Sequence, residues 1–220
     1  MSKRLEENFV LYLNDTFAME IAAEERIRKR IQKIIILPET ILKLEHHLQE
    51  TVKQQERLRN LITKLNGIAI YEKAELPTLR LPSSLIEIMK KQITLAEWEL
   101  KEIEEDITIE NAEIARYNTL IQFATKMNNV TYAIPPLRQS LEEENAMYAW
   151  LRAYTPAMFA NLWPDIQSYS SLSLQAAEAI TNVRLTFRCE ICQELFPSGE
   201  GLKEHPNIKH IHERKEMLQK

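Results

Sequence analysis

Glycine and cysteine are both scarce in this chain of 220 residues, which contains three glycines and two cysteines. Three glycines cannot build a glycine-rich phosphate-binding loop, so nucleotide-dependent activities are excluded. The cysteines, Cys189 and Cys192, lie two residues apart near the end of the sequence. That spacing indicates metal binding rather than a disulfide framework, and it favours a reducing compartment.

Long apolar runs are also lacking. The apolar run at residues 34 to 37 is far too short to span a bilayer, and no charged-then-apolar signal peptide opens the sequence. We therefore expect a cytoplasmic protein without a membrane partner. A net charge of −4, with 27% charged and 45% hydrophobic residues, is typical of a mostly helical chain with one substantial domain and a small appendage.

The C-terminal appendage is predicted to be a C2H2-type zinc finger over residues 185 to 214. Its proposed ligands follow the order C-x2-C, twelve residues, histidine, four residues, histidine: Cys189, Cys192, His205 and His210. His212 is the alternative fourth ligand. So short a ββα unit has almost no core, so the zinc ion must supply most of its folding energy.

The charge of this finger argues against a role in reading DNA. From Phe187 to His212 there are three basic residues against four glutamates, so the phosphate attraction that dominates nucleic-acid affinity is missing. Sequence-specific DNA binding is therefore not expected. A protein partner is the expected ligand of the finger.

Residues 3 to 165 carry the pattern of an antiparallel four-helix bundle, so the fold class is all-α with the small ββα finger appended. Apolar residues recur at alternating spacings of three and four along four long segments. The first ends before Pro38 and the second stops at Asn66 and Gly67, where the glycine is expected to cap the helix. Residues 68 to 83 form a crossover. A short and then a long helix follow from Ser83, and the last helix starts at residues 135 and 136. Residues 166 to 184 are predicted to be a linker.

Three glutamates interrupt these apolar stripes at positions assigned to the core: Glu20, Glu110 and Glu144. Buried ionised carboxylates are strongly unfavourable unless they are paired or bind a metal. Inward glutamates with an i, i+3 Glu/His pair form the site that holds two metal ions in four-helix bundles. His47 and Glu50 supply such a pair, and Glu113 is a further candidate ligand.

Two other interpretations of these glutamates stay open. They pair with arginines such as Arg26, Arg30 or Arg138, or they lie at a rim of the bundle in water. The basic strip at residues 26 to 33 is expected to be a solvated face of the first helix. Tyr117 lies two turns after Glu110; it either hydrogen-bonds a carboxylate in the core or gates electron transfer at the metal site.

Four segments, at residues 15–20, 47–51, 110–115 and 141–144, together resemble the YciF-type branch of the ferritin-like superfamily. The resemblance covers roughly residues 5 to 160 and rests on the order and spacing of these segments. It implies a ferritin-like four-helix bundle, often dimeric, with a carboxylate-rich dimetal site and an association with stress responses. A homodimer is thus one expectation.

The resemblance assigns the dimetal site to one set of side chains: Glu20, His47, Glu50, Glu110, Glu113 and Glu144, with Glu143 as a neighbour that could replace Glu144. A carboxylate-rich set favours iron or manganese over copper or zinc. The chain departs from the family pattern at Asn111, where many relatives carry histidine. That departure motivates an alternative function, a non-enzymatic scaffold or adaptor with a metal-free bundle. A further alternative is a regulator in which the finger contacts nucleic acid and the bundle dimerises.

Overall fold

The structure is a computed structural model that describes residues 3–33, 37–77 and 82–168, with only the backbone at 90–92, 168, 187–188 and 195–196. Five helices account for most of it: α1 (Lys3–Gln32), α2 (Pro38–Lys64), α3 (Ser83–Gln92), α4 (Leu95–Lys126) and α5 (Ile134–Ser168). A 3-10 turn, Thr131–Ala133, precedes α5. Helices α1, α2, α4 and α5 pack together as a bundle, with α3 in the connection between its halves.

Neighbouring long helices run antiparallel. Glu20 of α1 accepts a hydrogen bond from Tyr117 of α4. Arg26, which is later in α1, contacts Asp106, which is earlier in α4. In the same way, Gln54 of α2 meets Glu144 of α5, whereas the earlier Thr40 meets the later Met158. The four helices therefore run up, down, down and up, and the predicted helical bundle is confirmed.

Local sequence signals explain where these helices begin and end. Helix α4 begins with a capping box, in which the Thr94 hydroxyl accepts from the Glu97 N–H and the Glu97 carboxylate accepts from the Thr94 N–H. Pro38 occupies the first turn of α2, where its missing N–H has no partner to lose. Short helix α3 followed by long helix α4 confirms the prediction made from Ser83 onward.

Helix α2 ends differently from the prediction. The left-handed residue is Asn66, with φ of 55°, and the Gly67 N–H reaches back to the Ile62 carbonyl at 2.9 Å. This is the geometry of a Schellman motif. Gly67 is needed for a different reason, because a Cβ atom there would lie 2.6 Å from Cγ1 of Val10.

The crossover that follows is fastened to α1 by backbone-directed hydrogen bonds. The Asn14 amide donates to the Ile68 carbonyl at 3.1 Å and accepts from the Ile70 N–H at 2.8 Å. The Ala74 N–H donates to the Ala18 carbonyl at 2.9 Å. A single long crossover thus joins the α1/α2 hairpin to the α4/α5 hairpin and lies along α1.

Two apolar clusters fill the bundle, one toward each end. The first includes Phe9, Leu13, Leu58, Leu120 and Leu137, and the second includes Ile27, Leu44, Ile103, Met147 and Leu151. On every long helix, the segment between these two sets contains buried polar side chains. The interior is therefore divided into two apolar ends and one polar layer.

The basic strip on α1 is not simply a solvated face, which corrects that expectation. Arg30 is 1% exposed and binds Glu99 at 2.8 Å and Asp106 at 3.2 Å. Arg26 binds Asp106 at 2.8 Å and Glu102 at 3.2 Å. Buried carboxylates on α4 thus pair with the strip because the two helices cross there in antiparallel register. We call these five residues the α1/α4 ion-pair cluster.

Beyond α5, two short strands are described. Strand β1, Phe187–Arg188, pairs antiparallel with β2, Leu195–Phe196, in the register Phe187 to Phe196. The predicted zinc ligands and the helix that would carry His205 and His210 lie outside the described residues. Across the described part of the chain, no helix is both long and apolar enough to cross a membrane.

Candidate metal centre

The polar layer brings together side chains from all four long helices. Glu20 comes from α1, His47 from α2, Glu110 and Glu113 from α4 and Glu144 from α5, and each is 4% exposed or less. Periodicity predicts the core positions of Glu20, Glu110 and Glu144. The other two, His47 and Glu113, were predicted from i, i+3 spacing, and they lie on the same inward faces of their helices. Five of the six residues predicted for the dimetal site are therefore buried in one layer.

His47 lies at the centre of the most compact group. Its Nε2 atom is 3.2 Å from Glu110 Oε1 and 3.8 Å from Glu144 Oε2. One ligand atom from each of these three residues lies within 4.8 Å of the other two. One imidazole nitrogen and two carboxylate oxygens at this separation can contact a single metal ion.

Glu50 has a different position from the one predicted. Its side chain is 16% exposed, and its Oε2 lies 3.3 Å from Nδ1 of His47, on the ring edge opposite Glu110. When His47 is neutral and its Nδ1–H donates to Glu50, the Nε2 lone pair faces the interior. Glu50 is therefore placed to orient the histidine, as carboxylates behind metal-binding histidines do.

Buried oxygens in this layer lack hydrogen-bond partners. Among the described residues, five buried side-chain atoms have none: Glu20 Oε2, Gln54 Oε1, Glu110 Oε2, Glu113 Oε1 and Glu144 Oε2. All five belong to the polar layer or its immediate support. Unpartnered buried oxygens are unfavourable, and carboxylate oxygens are good ligands for divalent cations.

The electrostatics of the layer favour proton binding when no metal is present. Burial raises the pKa of Glu20 from its ordinary value of 4.5 to about 8, although the hydrogen bond from Tyr117 opposes the rise. Burial, followed by repulsion from neighbouring glutamates, raises the pKa values of Glu113 and Glu144 well above the ordinary value. These carboxyl groups cannot all be ionised together without a compensating cation.

Burial lowers the pKa of the histidine, whereas it raises the pKa values of the glutamates. Burial lowers the pKa of His47, but the charge of Glu110 and the hydrogen bonds that the ring donates to Glu110 and Glu50 outweigh it, so the pKa lies well above 6.5. A protonated His47 is the cation that the layer has in the absence of metal. A metal ion would replace that proton.

Supporting residues hold the carboxylates in place. The Tyr117 hydroxyl donates to Glu20 Oε1 at 2.6 Å, which confirms the interpretation of Tyr117 as a core tyrosine bonded to a carboxylate. The Gln54 amide donates to both Glu144 and Glu143. Gln54 was missed as a site residue, although its position seven residues after His47 places it two helical turns away on the same face.

Several of the alternatives at these positions are wrong. Glu143 does not replace Glu144, because Arg57 binds both of its oxygens at 2.7 and 2.6 Å. The layer glutamates do not pair with Arg26 or Arg30, which bind the α4 carboxylates of the ion-pair cluster instead. Asn111 is exposed, because on α4 it lies one residue from Glu110 and points away from the axis. The identity of residue 111 therefore does not bear on the interior site.

Comparison with known proteins finds solved structures that share the fold. A crystal structure from Xanthomonas campestris pv. campestris matches with a TM-score of 0.62 and 22% identity, covering 74% of this chain and 99% of that one. YcfI from Rhodopseudomonas palustris matches with a TM-score of 0.51 and 24% identity, covering 67% and 92%. These similarities show a shared fold. A search of curated proteins found no match.

The helical part of the chain also matches one family over nearly its whole length. The match covers residues 4–161. It includes α2 and α4, nearly all of α1, most of α5 and every side chain of the polar layer. The chain belongs to the family described as domain of unknown function DUF892.

Proposed function

We propose that this chain is a ferritin-like metal-binding protein whose bundle holds two divalent ions, iron or manganese, in its polar layer. The single long crossover between two antiparallel helical hairpins is the topology of ferritin-like folds. In that architecture, dimetal sites are built from inward glutamates and histidines on facing helices.

The observation that carries the proposal is the combination of the His47, Glu110 and Glu144 group with unpartnered buried oxygens around it. A structural ion-pair network would satisfy its own members, as the α1/α4 ion-pair cluster does. Here the carboxylates face one another and one histidine. Their oxygens that lack hydrogen-bond partners are available to coordinate a metal ion.

The charge of the layer supports two ions. Glu20, Glu110, Glu113 and Glu144 bear four negative charges when ionised, and two divalent ions would neutralise them. His47, Glu110 and Glu144 would hold the first ion, and Glu20 and Glu113 would supply oxygens to the second. One nitrogen among several carboxylate oxygens is a donor set that suits manganese or iron.

The surrounding residues would then keep the donors in position. Glu50 fixes the His47 ring, Gln54 fixes Glu144, and the Tyr117 hydroxyl holds one Glu20 oxygen. The apolar clusters at both ends exclude water from the layer. A bound pair of iron or manganese ions would supply Lewis-acid or redox chemistry there.

Metal content of the full chain tests this proposal. The protein would be stripped with chelator, reloaded with Mn²⁺ without oxygen, desalted and analysed by mass spectrometry, with about two Mn²⁺ per chain expected. His47→Ala and Glu144→Gln are expected to lose at least one. The exposed neighbours His46→Ala and Glu142→Gln serve as matched controls and should keep both. Equal, near-zero manganese in all five proteins would refute the proposal.

A metal-free scaffold is the alternative function. The observation that favours it is Asn111 in place of a histidine, but Asn111 points away from the polar layer.

For the predicted zinc finger at residues 185 to 214, hereafter the tail, we propose a zinc-dependent module that contacts a protein. This proposal rests on the spacing of Cys189, Cys192, His205 and His210 alone.

A further inference from the structure

We infer that His46 and Glu50 form the entrance through which metal ions reach the polar layer from solvent. This inference rests on the proposed function, since it concerns uptake by the same site. It assigns Glu50 a second role beside the orientation of His47, and it assigns a role to His46, which lies outside the layer.

One carboxylate oxygen connects solvent with the interior. Glu50 Oε2 lies 3.4 Å from Nδ1 of His46 and 3.3 Å from Nδ1 of His47. The His46 side chain is 60% exposed, that of Glu50 is 16% exposed and that of His47 is 2% exposed. These three residues of α2 therefore form a continuous series of metal-binding groups from the surface to the buried group.

The entrance faces the seam between α2 and α5. Arg57 is seven residues after Glu50, so the two lie on the same side of α2, two turns apart. Arg57 donates to Ser140 and Glu143 of α5, which shows that this side of α2 faces α5. At Arg57 the seam is closed by an ion pair. At Glu50 it presents a carboxylate to the surface.

On the opposite side of the bundle, the charged side chains are already engaged in ion pairs. A cleft of about 400 Å³ beside α1 is lined by five basic and three acidic side chains: Arg26, Lys29, Arg30, Lys33 and Lys73, with Glu25, Glu75 and Glu102. Behind it, a small cavity of about 10 Å³ touches Arg26, Asp106 and Glu110. Arg26 lines both spaces. An ion approaching from that side would meet a guanidinium before it met Glu110.

The two ends of the bundle are equally unfavourable routes. The apolar clusters that cap the polar layer would strip an ion of its water without offering a ligand. Of the layer residues and Glu50, only Glu50 combines a carboxylate with appreciable exposure. Imidazole and carboxylate both bind iron and manganese, so His46 and Glu50 can capture a hydrated ion and pass it inward.

The rate of Mn²⁺ uptake tests this inference. The stripped chain of residues 1–220 would be mixed rapidly with Mn²⁺, and loss of the free-ion electron paramagnetic resonance signal would be followed. Mn²⁺ suits this test because the thiolates of the tail bind it poorly. We expect His46→Gln and Glu50→Gln to slow uptake about tenfold, since they remove a capturing ligand and a steering charge.

His46→Gln leaves every buried ligand in place, so its final manganese content should equal that of the unaltered chain. Glu45→Gln, an exposed neighbour, is the matched control for charge and should take up Mn²⁺ at the unaltered rate. Unchanged uptake rates in both His46→Gln and Glu50→Gln would overturn the entrance alone. An unaltered chain that takes up no Mn²⁺ would overturn the proposed function and the entrance together.

Discussion

Gly67 shows how a single residue position is fixed by packing rather than by backbone angle. Asn66 takes the left-handed conformation, and Gly67 lies against Val10 of α1. We expect Gly67→Ala to lower the free energy of unfolding by about 1–3 kcal/mol, because the added methyl group forces Val10 aside. Urea unfolding followed by circular dichroism measures this change.

Asn66→Gly is the matched control for that substitution. Glycine adopts a positive φ at no steric cost, so the free energy of unfolding should change by about 0.5 kcal/mol or less. If Gly67→Ala were as stable as the unaltered chain, the close approach of Val10 would not constrain this position.

Residue by residue, the layer was largely predictable because its members interrupt apolar stripes. Glu20, Glu110 and Glu144 occupy positions that periodicity assigns to the core, and all three are buried. The role of Glu50 was not predictable in the same way. It lies beside its stripe, and whether such a side chain binds a metal or supports a histidine depends on a rotamer that spacing does not specify.

At the scale of helices, the α1/α4 ion-pair cluster fastens the two halves of the bundle. Arg30 is 1% exposed and neutralises Glu99 and Asp106 across the helix pair. We expect Arg30→Met to lower the free energy of unfolding by about 3–5 kcal/mol, because two buried carboxylates lose their cation. Thermal and urea unfolding both report this loss.

Arg28→Met provides the control, because Arg28 pairs with Glu24 on the same helix and its side chain is 34% exposed. Its effect should stay within about 0.5 kcal/mol. Equal effects of the two substitutions would mean that the cluster is no more important than a surface ion pair.

The helices could be predicted from the sequence, but the α1/α4 ion-pair cluster could not, because it depends on which helices are neighbours. Periodicity reports which face of each helix is apolar, and that sufficed for the four long helices and the crossover. It does not report which helix faces which. The signal was present in the complementary spacing of Arg26 and Arg30 on α1 with Glu99, Glu102 and Asp106 on α4. It has meaning only once α1 and α4 are known to be antiparallel neighbours.

At the scale of the whole molecule, the layer couples stability to pH. The pKa of Glu20 is about 8 in the folded protein and ordinarily 4.5, and the pKa values of Glu113, Glu144 and His47 are also raised. The folded state therefore binds these protons more tightly than the unfolded state. Stability of the metal-free protein is expected to fall as the pH rises from about 5 to about 8.

Unfolding of the stripped protein in chelator, measured by urea titration across that range, tests this expectation. Glu20→Gln should have a shallower dependence on pH because one titrating group is gone. Saturating Mn²⁺ should offset the loss at pH 8, since the ions take the place of the protons. A metal-free protein that became more stable between pH 5 and pH 8 would contradict the described electrostatics.

The tail is predicted to fold around its own zinc ion, independently of the bundle. Cys189→Ala with Cys192→Ala should remove about one zinc per chain and leave the helical circular dichroism signal nearly unchanged. His212→Ala should keep the zinc if His210 is the fourth ligand. Loss of bundle helicity in the double cysteine variant would instead make the tail and bundle one folding unit.

The position of the ions tests the central claim most directly. Crystals of the Mn²⁺-loaded full chain, measured at the manganese absorption edge, would give an anomalous difference map. We predict two peaks in the polar layer, separated by about 3.5–4 Å, one beside His47, Glu110 and Glu144 and one beside Glu20 and Glu113. A map without peaks in that layer, from crystals loaded at saturating Mn²⁺, would contradict the account of a dimetal bundle.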